Sequence, residues 1–253
     1  MAIHAVFAWR SADERCLDFH HTFNSTGYVR HYVLEGSTWQ LGHEWQAHAR
    51  AVLDIKWHTS GKYIYTAALD GSVKAWDPSH LGACSHDDAL SPSPLLLDAP
   101  VASFQHPTDK EACGCIGLGP VPEDVYVGFR NGAVRKWSLG KGLVADLKRG
   151  HTDIVYTINF SPDGKHFASA SYDNTVKIWD AETLLLARTH KRHSVVGAYY
   201  INNDKLLVAT YNSNIAVMDV VSGTLDEPIA YHTVGSAITI WTGAGTYYVH
   251  LRH

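Results

Sequence analysis

A sixteen-residue window recurs three times in one register: KYIYTAALDGSVKAWD from Lys62 to Asp77, EDVYVGFRNGAVRKWS from Glu123 to Ser138, and KHFASASYDNTVKIWD from Lys165 to Asp180. A fourth stretch, DKLLVATYNSNIAVMD from Asp204 to Asp219, keeps the pattern but has Met218 where the others carry tryptophan. The windows end at Asp77, Ser138, Asp180 and Asp219, so the later two steps are about 40 residues and the first about 60. The long step holds an insertion near Pro78 to Pro94. A chain that repeats at this interval stacks copies of one supersecondary unit that cannot bury its apolar face alone.

The unit is most legible from Gly150 to Asp180, which opens on Gly-His and closes on Trp-Asp. Val155 to Phe160 alternates as a strand, and Ser161-Pro162-Asp163-Gly164 supplies a fixed φ, a side-chain acceptor and a residue tolerant of positive φ for a tight turn. His166 to Ser171 reads as a second strand, Tyr172-Asp173-Asn174 as a turn, and Thr175 to Trp179 as a third strand with a period of two. Glu182 to Thr189 is read as a fourth, outer strand.

On these residues the chain resembles the WD-repeat family, whose repeats are the four-stranded blades of a β-propeller. The resemblance implies a hydrogen-bonded clamp in each blade, made by a histidine, a strand Ser or Thr, a turn aspartate and a tryptophan. The matching residues are His151, Ser169, Asp173 and Trp179, with Ser171 as an alternative to Ser169, and a second complete set is His48, Thr66, Asp70 and Trp76. The residue types fit the task, because a buried indole N–H and imidazole must find partners and an aspartate can fix the histidine tautomer. Ser, His and Asp also form hydrolase triads, but here they come with a strand-borne tryptophan and the repeat spacing.

The expected architecture is all-β: a single propeller domain over 1–253 with about six blades, at approximately 3–46, 47–106, 107–149, 150–191, 192–231 and 232–253. The first is divergent, with strands at Ile3 to Trp9, Arg15 to Thr22, Tyr28 to Leu34 and Thr38 to Gln46. The third keeps Trp137 but has Val127 and Asn131 where the hydroxyl and aspartate belong. The last is incomplete, with two strands at Val234 to Trp241 and Thr246 to Arg252, so the ring is read as open or as completed by a strand supplied in trans near 234–253.

Composition narrows the function classes. A hydrophobic share of 45% with 8 Trp is ample for a packed core, and a net charge of −4 gives no broad field for nucleic acid or anionic lipid. Lys148, Arg149, Arg188, Lys191 and Arg192 border one blade and read first as a solvated charged rim, with a local basic patch as the alternative. Cys16, Cys84, Cys113 and Cys115 show neither a CxxC pair nor a disulfide spacing, which fits a reducing, intracellular and in first place cytoplasmic setting. The run from Ala2 to Trp9 lacks a basic leader and makes a poor signal peptide, and no stretch is long enough for a membrane span.

Catalytic and cofactor readings find little support. The chain has 17 His, of which His48 and His151 fall at the clamp, His190 or His193 falls near the same site in the next unit, and His106 and His232 precede first strands. Cys84, His86, Asp87 and Asp88, with His80, lack the spacing of zinc sites. Gly114, Gly117 and Gly119 do not form a dinucleotide loop. No cofactor and no metal are expected. Ser91-Pro92 and Ser93-Pro94 in the insertion are candidate sites for proline-directed phosphorylation.

In the WD-repeat family, partner contacts concentrate before the turn aspartate and around the first-strand valine. The matching positions are Leu69, Arg130, Tyr172 and Tyr211 before the turn, and Ala51, Leu53, Ile154 and Tyr156 around the strand. Tyrosine and arginine are common interface anchors. The resemblance therefore implies a non-enzymatic scaffold within a multiprotein assembly. Its rivals are an adaptor that reads a modified peptide or delivers a ubiquitin-ligase substrate, and a propeller hydrolase. The hydrolase needs a ring of carboxylates or histidines that the repeat does not offer.

Overall fold

The computed structural model describes residues 17–20, 27–35, 38–81, 99–106, 111–147, 150–211, 215–226, 233–234, 237–242 and 245–250. The strand read at Ile3 to Trp9 and most of the 78–94 insertion lie outside these residues. The chain is all-β, and it divides into two compact units, Met1–Cys113 and Gly114–His253.

Among the described residues, the first unit holds two antiparallel sheets. One is β1 (Leu17–His20), β2 (Tyr28–Glu35) and β3 (Thr38–Gln46), in that order. The other is β4 (Val52–Trp57), β5 (Ile64–Ala68), β6 (Ser72–Trp76) and β7 (Ala102–Gln105), with a 3-10 helix, Pro78–Leu81, opening the insertion. The two sheets share a core of Val29, Trp45, Val52, Ile55, Ile64 and Trp76, in which Trp45 meets Trp76 edge-on with ring centroids 5.7 Å apart. Each such aliphatic side chain contributes about 1.5–3 kcal/mol on burial. The carbonyl of Gly27, a residue with φ of 75°, accepts the backbone N–H of Ala47 and of His48 and so ties the start of β2 to the clamp histidine.

Among the described residues, the second unit holds four sheets. They are β8 (Cys113–Leu118, its first residue at the boundary) to β11 through β9 (Asp124–Phe129), β10 (Val134–Ser138) and β11 (Gly142–Asp146); β12 (Val155–Phe160), β13 (His166–Ser171), β14 (Thr175–Asp180) and β15 (Leu186–Lys191); β16 (Val195–Tyr200), β17 (Lys205–Thr210) and β18 (Ile215–Asp219); and β19 (Thr233–Val234), β20 (Ala237–Thr242) and β21 (Gly245–His250). Each is an antiparallel meander, the order the repeat requires.

Stacking of these sheets explains their small residues. β13 is buried from Phe167 to Ser171 because both of its faces are covered, so its Ala and Ser are spacers. A Cβ on Gly117 would lie 2.2 Å from Ile158, so the glycine lets β8 and β12 approach, which is the role of a glycine singled out above for its cofactor-like spacing. Between the next two sheets, Asn159 Oδ1 accepts the Tyr200 N–H at 2.8 Å and Thr157 Oγ1 the Ala198 N–H at 3.2 Å. Ala168, Val176 and Ile178 pack there against Leu206, Val208 and Met218.

Two expectations shift. The outer strand starts at Leu186, not Glu182, because Asp180 Oδ1 accepts the N–H groups of Glu182 and Thr183 and the Thr183 hydroxyl, winding 181–184 into a turn that ends on Leu184 at φ 60°. The terminal stretch has three strands where two were read: β19 pairs antiparallel with β20, with Val234 opposite Ala237, so Val234 belongs to a strand of its own.

Candidate functional site

The clamp residues come together in both sheets that carry the full set. In β12–β15, the Trp179 indole donates to Ser169 Oγ at 2.8 Å, and His151 Nε2 lies 2.7 Å from that oxygen while its Nδ1 lies 2.9 Å from Asp173 Oδ2. The proton positions follow. Asp173 only accepts, and the Thr175 hydroxyl beside Nδ1 donates to Asp173 Oδ1 at 2.6 Å, so Nδ1 must carry a proton. Burial lowers the pKa of His151 despite the aspartate. The neutral ring then accepts the Ser169 proton at Nε2, and the donors run in one direction from Trp179 to Asp173. Burial alone would raise Asp173, but hydrogen bonds from His151 and Thr175 outweigh it and hold the carboxyl well below the ordinary range.

In β4–β7 the Trp76 indole donates to Thr66 Oγ1 at 2.9 Å, and His48 Nε2 is 2.7 Å from the same oxygen. His48 Nδ1 is 2.9 Å from Ser72 Oγ and 3.3 Å from Asp70 Oδ2, and the Ser72 hydroxyl donates to Asp70 at 2.6 Å. Asp70 is depressed like Asp173: burial raises it, and the bonds from His48 and Ser72 prevail. Each clamp thus has a fifth member, Ser72 or Thr175, two residues after the aspartate. Sequence reasoning passed over it, although the windows DGS and DNT both carry a hydroxyl there. Ser171 lies outside the chain, its hydroxyl donating to the Asp153 carbonyl at 2.8 Å.

The two clamps hold the turns that follow Leu69 and Tyr172, and a shared backbone bond closes the turn ends where partner positions lie. The N–H of the residue before each turn donates to the carbonyl just before the inner strand: Leu69 to Ala51 and Tyr172 to Ile154, both at 2.9 Å, and Tyr211 to Ser194 at 2.7 Å. The pairing of β4, β12 and β16 slips by one residue, so Leu53, Tyr156 and Val196 are bulged. A bulge re-aims its side chain. Val196 was not among the residues read from sequence, and only the register shift identifies it.

Four of the read residues form one cluster in the second unit. Tyr172 is 54% and Tyr211 45% exposed, Arg130 is exposed, and the Tyr156 ring meets the Tyr172 ring edge-on at 6.2 Å. The Tyr156 phenol is pushed up first by burial and then by Tyr211, Tyr172 and Asp153, with Arg130 opposing. Ile154 lies beside them, half-buried, and Ala51, Leu53 and Leu69 are half-buried in the first unit. Among the described residues, no group of three His, Cys, Asp or Glu is placed to hold a metal ion, and no helix is long and apolar enough to cross a membrane. Cys84, His86, Asp87, Asp88, Ser91 and Ser93 lie outside those residues, as do Lys148 and Arg149.

The model of the WD domain, G-beta repeat, matches residues 39–77 and 143–180, each match closing on the Trp-Asp of a clamped sheet. The chain is 34% identical over 208 residues to eukaryotic translation initiation factor 3 subunit I of Drosophila ananassae, covering 68% of this chain and 63% of that protein. It is 26% identical over 156 residues to Striatin-4 of Homo sapiens, covering 56% of this chain and 19% of the relative. To Protein groucho of Drosophila melanogaster it is 24% identical over 204 residues, covering 68% and 28%. The chain thus spans less than two thirds of the length of these curated relatives. With two matched repeats, clamps of the same residues and one antiparallel meander after another, the chain belongs to the WD-repeat family of β-propeller proteins.

Proposed function

We propose that this protein is a non-enzymatic interaction scaffold, an intracellular and cytoplasmic subunit of a larger multiprotein assembly that works by holding side chains at fixed positions. The observation that carries the reading is the cluster of Tyr156, Tyr172, Tyr211 and Arg130, brought from three sheets, in which Tyr172, Tyr211 and Arg130 are exposed and Tyr156 and Tyr172 stand on the clamped sheet β12–β15. Exposed tyrosine and arginine on a rigid support are the residues that dominate interface energies. Ile154 lies in the same cluster, and Leu53 and Leu69 hold equivalent positions in the first unit. The relatives named as subunit I of translation initiation factor 3 make an assembly of that kind the first to test.

The reading treats the six sheets as blades of one propeller domain, with 78–94 as an insertion, and includes a partner strand added near 234–253. The test is affinity purification from native extract of the wild type, of a Tyr172→Ala, Arg130→Ala protein, and of a protein lacking 234–253. Loss of specific partners in the double variant, with unchanged circular dichroism, is the expected result. Unchanged partners with an unchanged fold would sink the proposal for this face. Loss only on deleting 234–253 would move the partner contact to that segment.

A further inference from the structure

Within the second unit a cavity of about 340 Å³ opens between sheets β8–β11 and β12–β15. It lies at the turns Gly119–Val121, Gly164–His166 and Asp180–Glu182, the opposite end of these antiparallel strands from Tyr172 and Arg130. Its volume is at the lower end for ligand sites, about 300–1,000 Å³, enough for one long side chain and its flanking backbone. The apolar wall is Pro120, Val121, Phe160 and Ala181, with Tyr126 edge-on to Phe160 at 4.9 Å.

The repeat supplies an internal control for this place. The window position of Lys136 is held by Ala75, Ile178 and Val217 in the other copies, and that of Asp124 by Tyr63, His166 and Lys205. Only here do the two positions carry an ion pair, Lys136 Nζ to Asp124 Oδ2 at 2.7 Å, with side chains 16% and 14% exposed. Lys136 Nζ also lies over the Tyr126 ring, 5.2 Å from its centroid. A part-buried ion pair gains little over apolar residues of similar volume, so stability does not explain the departure. Departures from a local rule concentrate at functional sites.

We propose that this cavity is a second binding site, which takes an arginine side chain presented by a partner's extended segment. The charge of Lys136 is balanced by Asp124, and Lys165, exposed at the mouth, offsets only one of the two remaining carboxylates, so the lining keeps a net negative charge. The charge left on the β14–β15 turn is that of Asp180 and Glu182. A guanidinium meets those carboxylates while its stem lies on Val121 and Ala181 and its plane against Phe160.

The test measures binding of labelled Gly/Ser nonapeptides with central Arg, Lys, norleucine or Glu to the full chain by fluorescence anisotropy. The Arg peptide binds best, its affinity falls with salt, and Glu182→Lys weakens it about tenfold or more. Glu182 is exposed, so this variant keeps its fold, which circular dichroism checks. Replacing the pair by its β13–β14 counterparts, Asp124→His with Lys136→Ile, leaves stability equal or higher and weakens Arg-peptide binding. An Arg peptide no better than the norleucine or Glu peptide, or a Kd unchanged by Glu182→Lys, overturns the proposal. The Tyr172→Ala, Arg130→Ala protein retains Arg-peptide binding, which separates this site from the partner face.

Discussion

Sheets β12–β15 and β8–β11 lie side by side with the same topology and tryptophan position, yet they are held differently. In the first, Trp179 is tied to Asp173 through a hydroxyl and an imidazole. In the second, Val127 and Asn131 replace the hydroxyl and the aspartate. Val127 is fully buried, Asn131 Oδ1 still accepts the Ala133 N–H at 3.1 Å to close the turn, and Trp137 packs on Phe129 at 5.8 Å. Exchanging hydrogen-bonded partners together for apolar groups of similar shape is close to neutral, whereas removing one of them is not. The blade form therefore rests on stacked apolar strands, and the clamp adds rigidity and an all-or-none polar network to the sheet that carries it.

The largest break in this comparison is Trp179→Ala, which removes both the indole donor and a fully buried ring that stacks on Phe167 at 5.9 Å. It lowers stability by about 3–5 kcal/mol in denaturant unfolding. Ser169→Val imitates the neighbouring sheet but leaves the Trp179 N–H and His151 without their shared partner, and costs about 1–3 kcal/mol. A loss under 0.5 kcal/mol would show that the network is decorative.

Acid separates the sheets next. The carboxyls of Asp70 and Asp173 are depressed, so their contribution is complete above the unfolded value near 3.9 and is lost as pH falls toward the folded values. His151 is lowered by burial, and His31 on β2 is lowered to about 4 by burial and by His43, its cross-strand partner. Histidines with depressed values are protonated first in the unfolded chain, so stability falls as pH drops below about 6.5 and, for His31, keeps falling to about 4. Thermal midpoints should be level above pH 7 and decline in two stages, and His31→Gln should flatten the upper stage.

The last contrast concerns the turns, and its second variant has the smallest expected effect. Gly132 has φ of 88°, and a Cβ on it would lie 2.1 Å from the His151 carbonyl oxygen, so Gly132→Ala costs about 1–3 kcal/mol or more. At the same window position Asn174 adopts φ 65° and accepts the Ser194 N–H at 2.7 Å. Asn174→Gly exchanges strain for that bond and stays within about 1 kcal/mol of the wild type. Chemical denaturation of the two variants reads the contrast.

Much of the repeat was legible because it is local chemistry. The tetrads, the Ser161 to Gly164 turn and the inner strands follow from alternation, turn residues and the need of buried polar groups for partners. Leu184 was misread because ETLLLART looks apolar and extended, while the turn depends on how Asp180 spends its oxygen. Thr175 was passed over because a hydroxyl after a turn is common, and only its distances to Asp173 and His151 make it a member of the clamp.

The sequence alone determined that this chain is a series of antiparallel meanders, where the turns between their inner strands fall in the clamped repeats, and which residue types could clamp them. Those outcomes depend on a period of two and on groups close together in the repeat. Only the tertiary structure decided that Tyr156 is bulged toward Tyr172, that Arg130 and Tyr211 join them, and that Lys136 and Asp124 meet at a cavity. Those residues come from different sheets or opposite ends of the strands, and no local pattern sets the register slip or the stacking that brings them together.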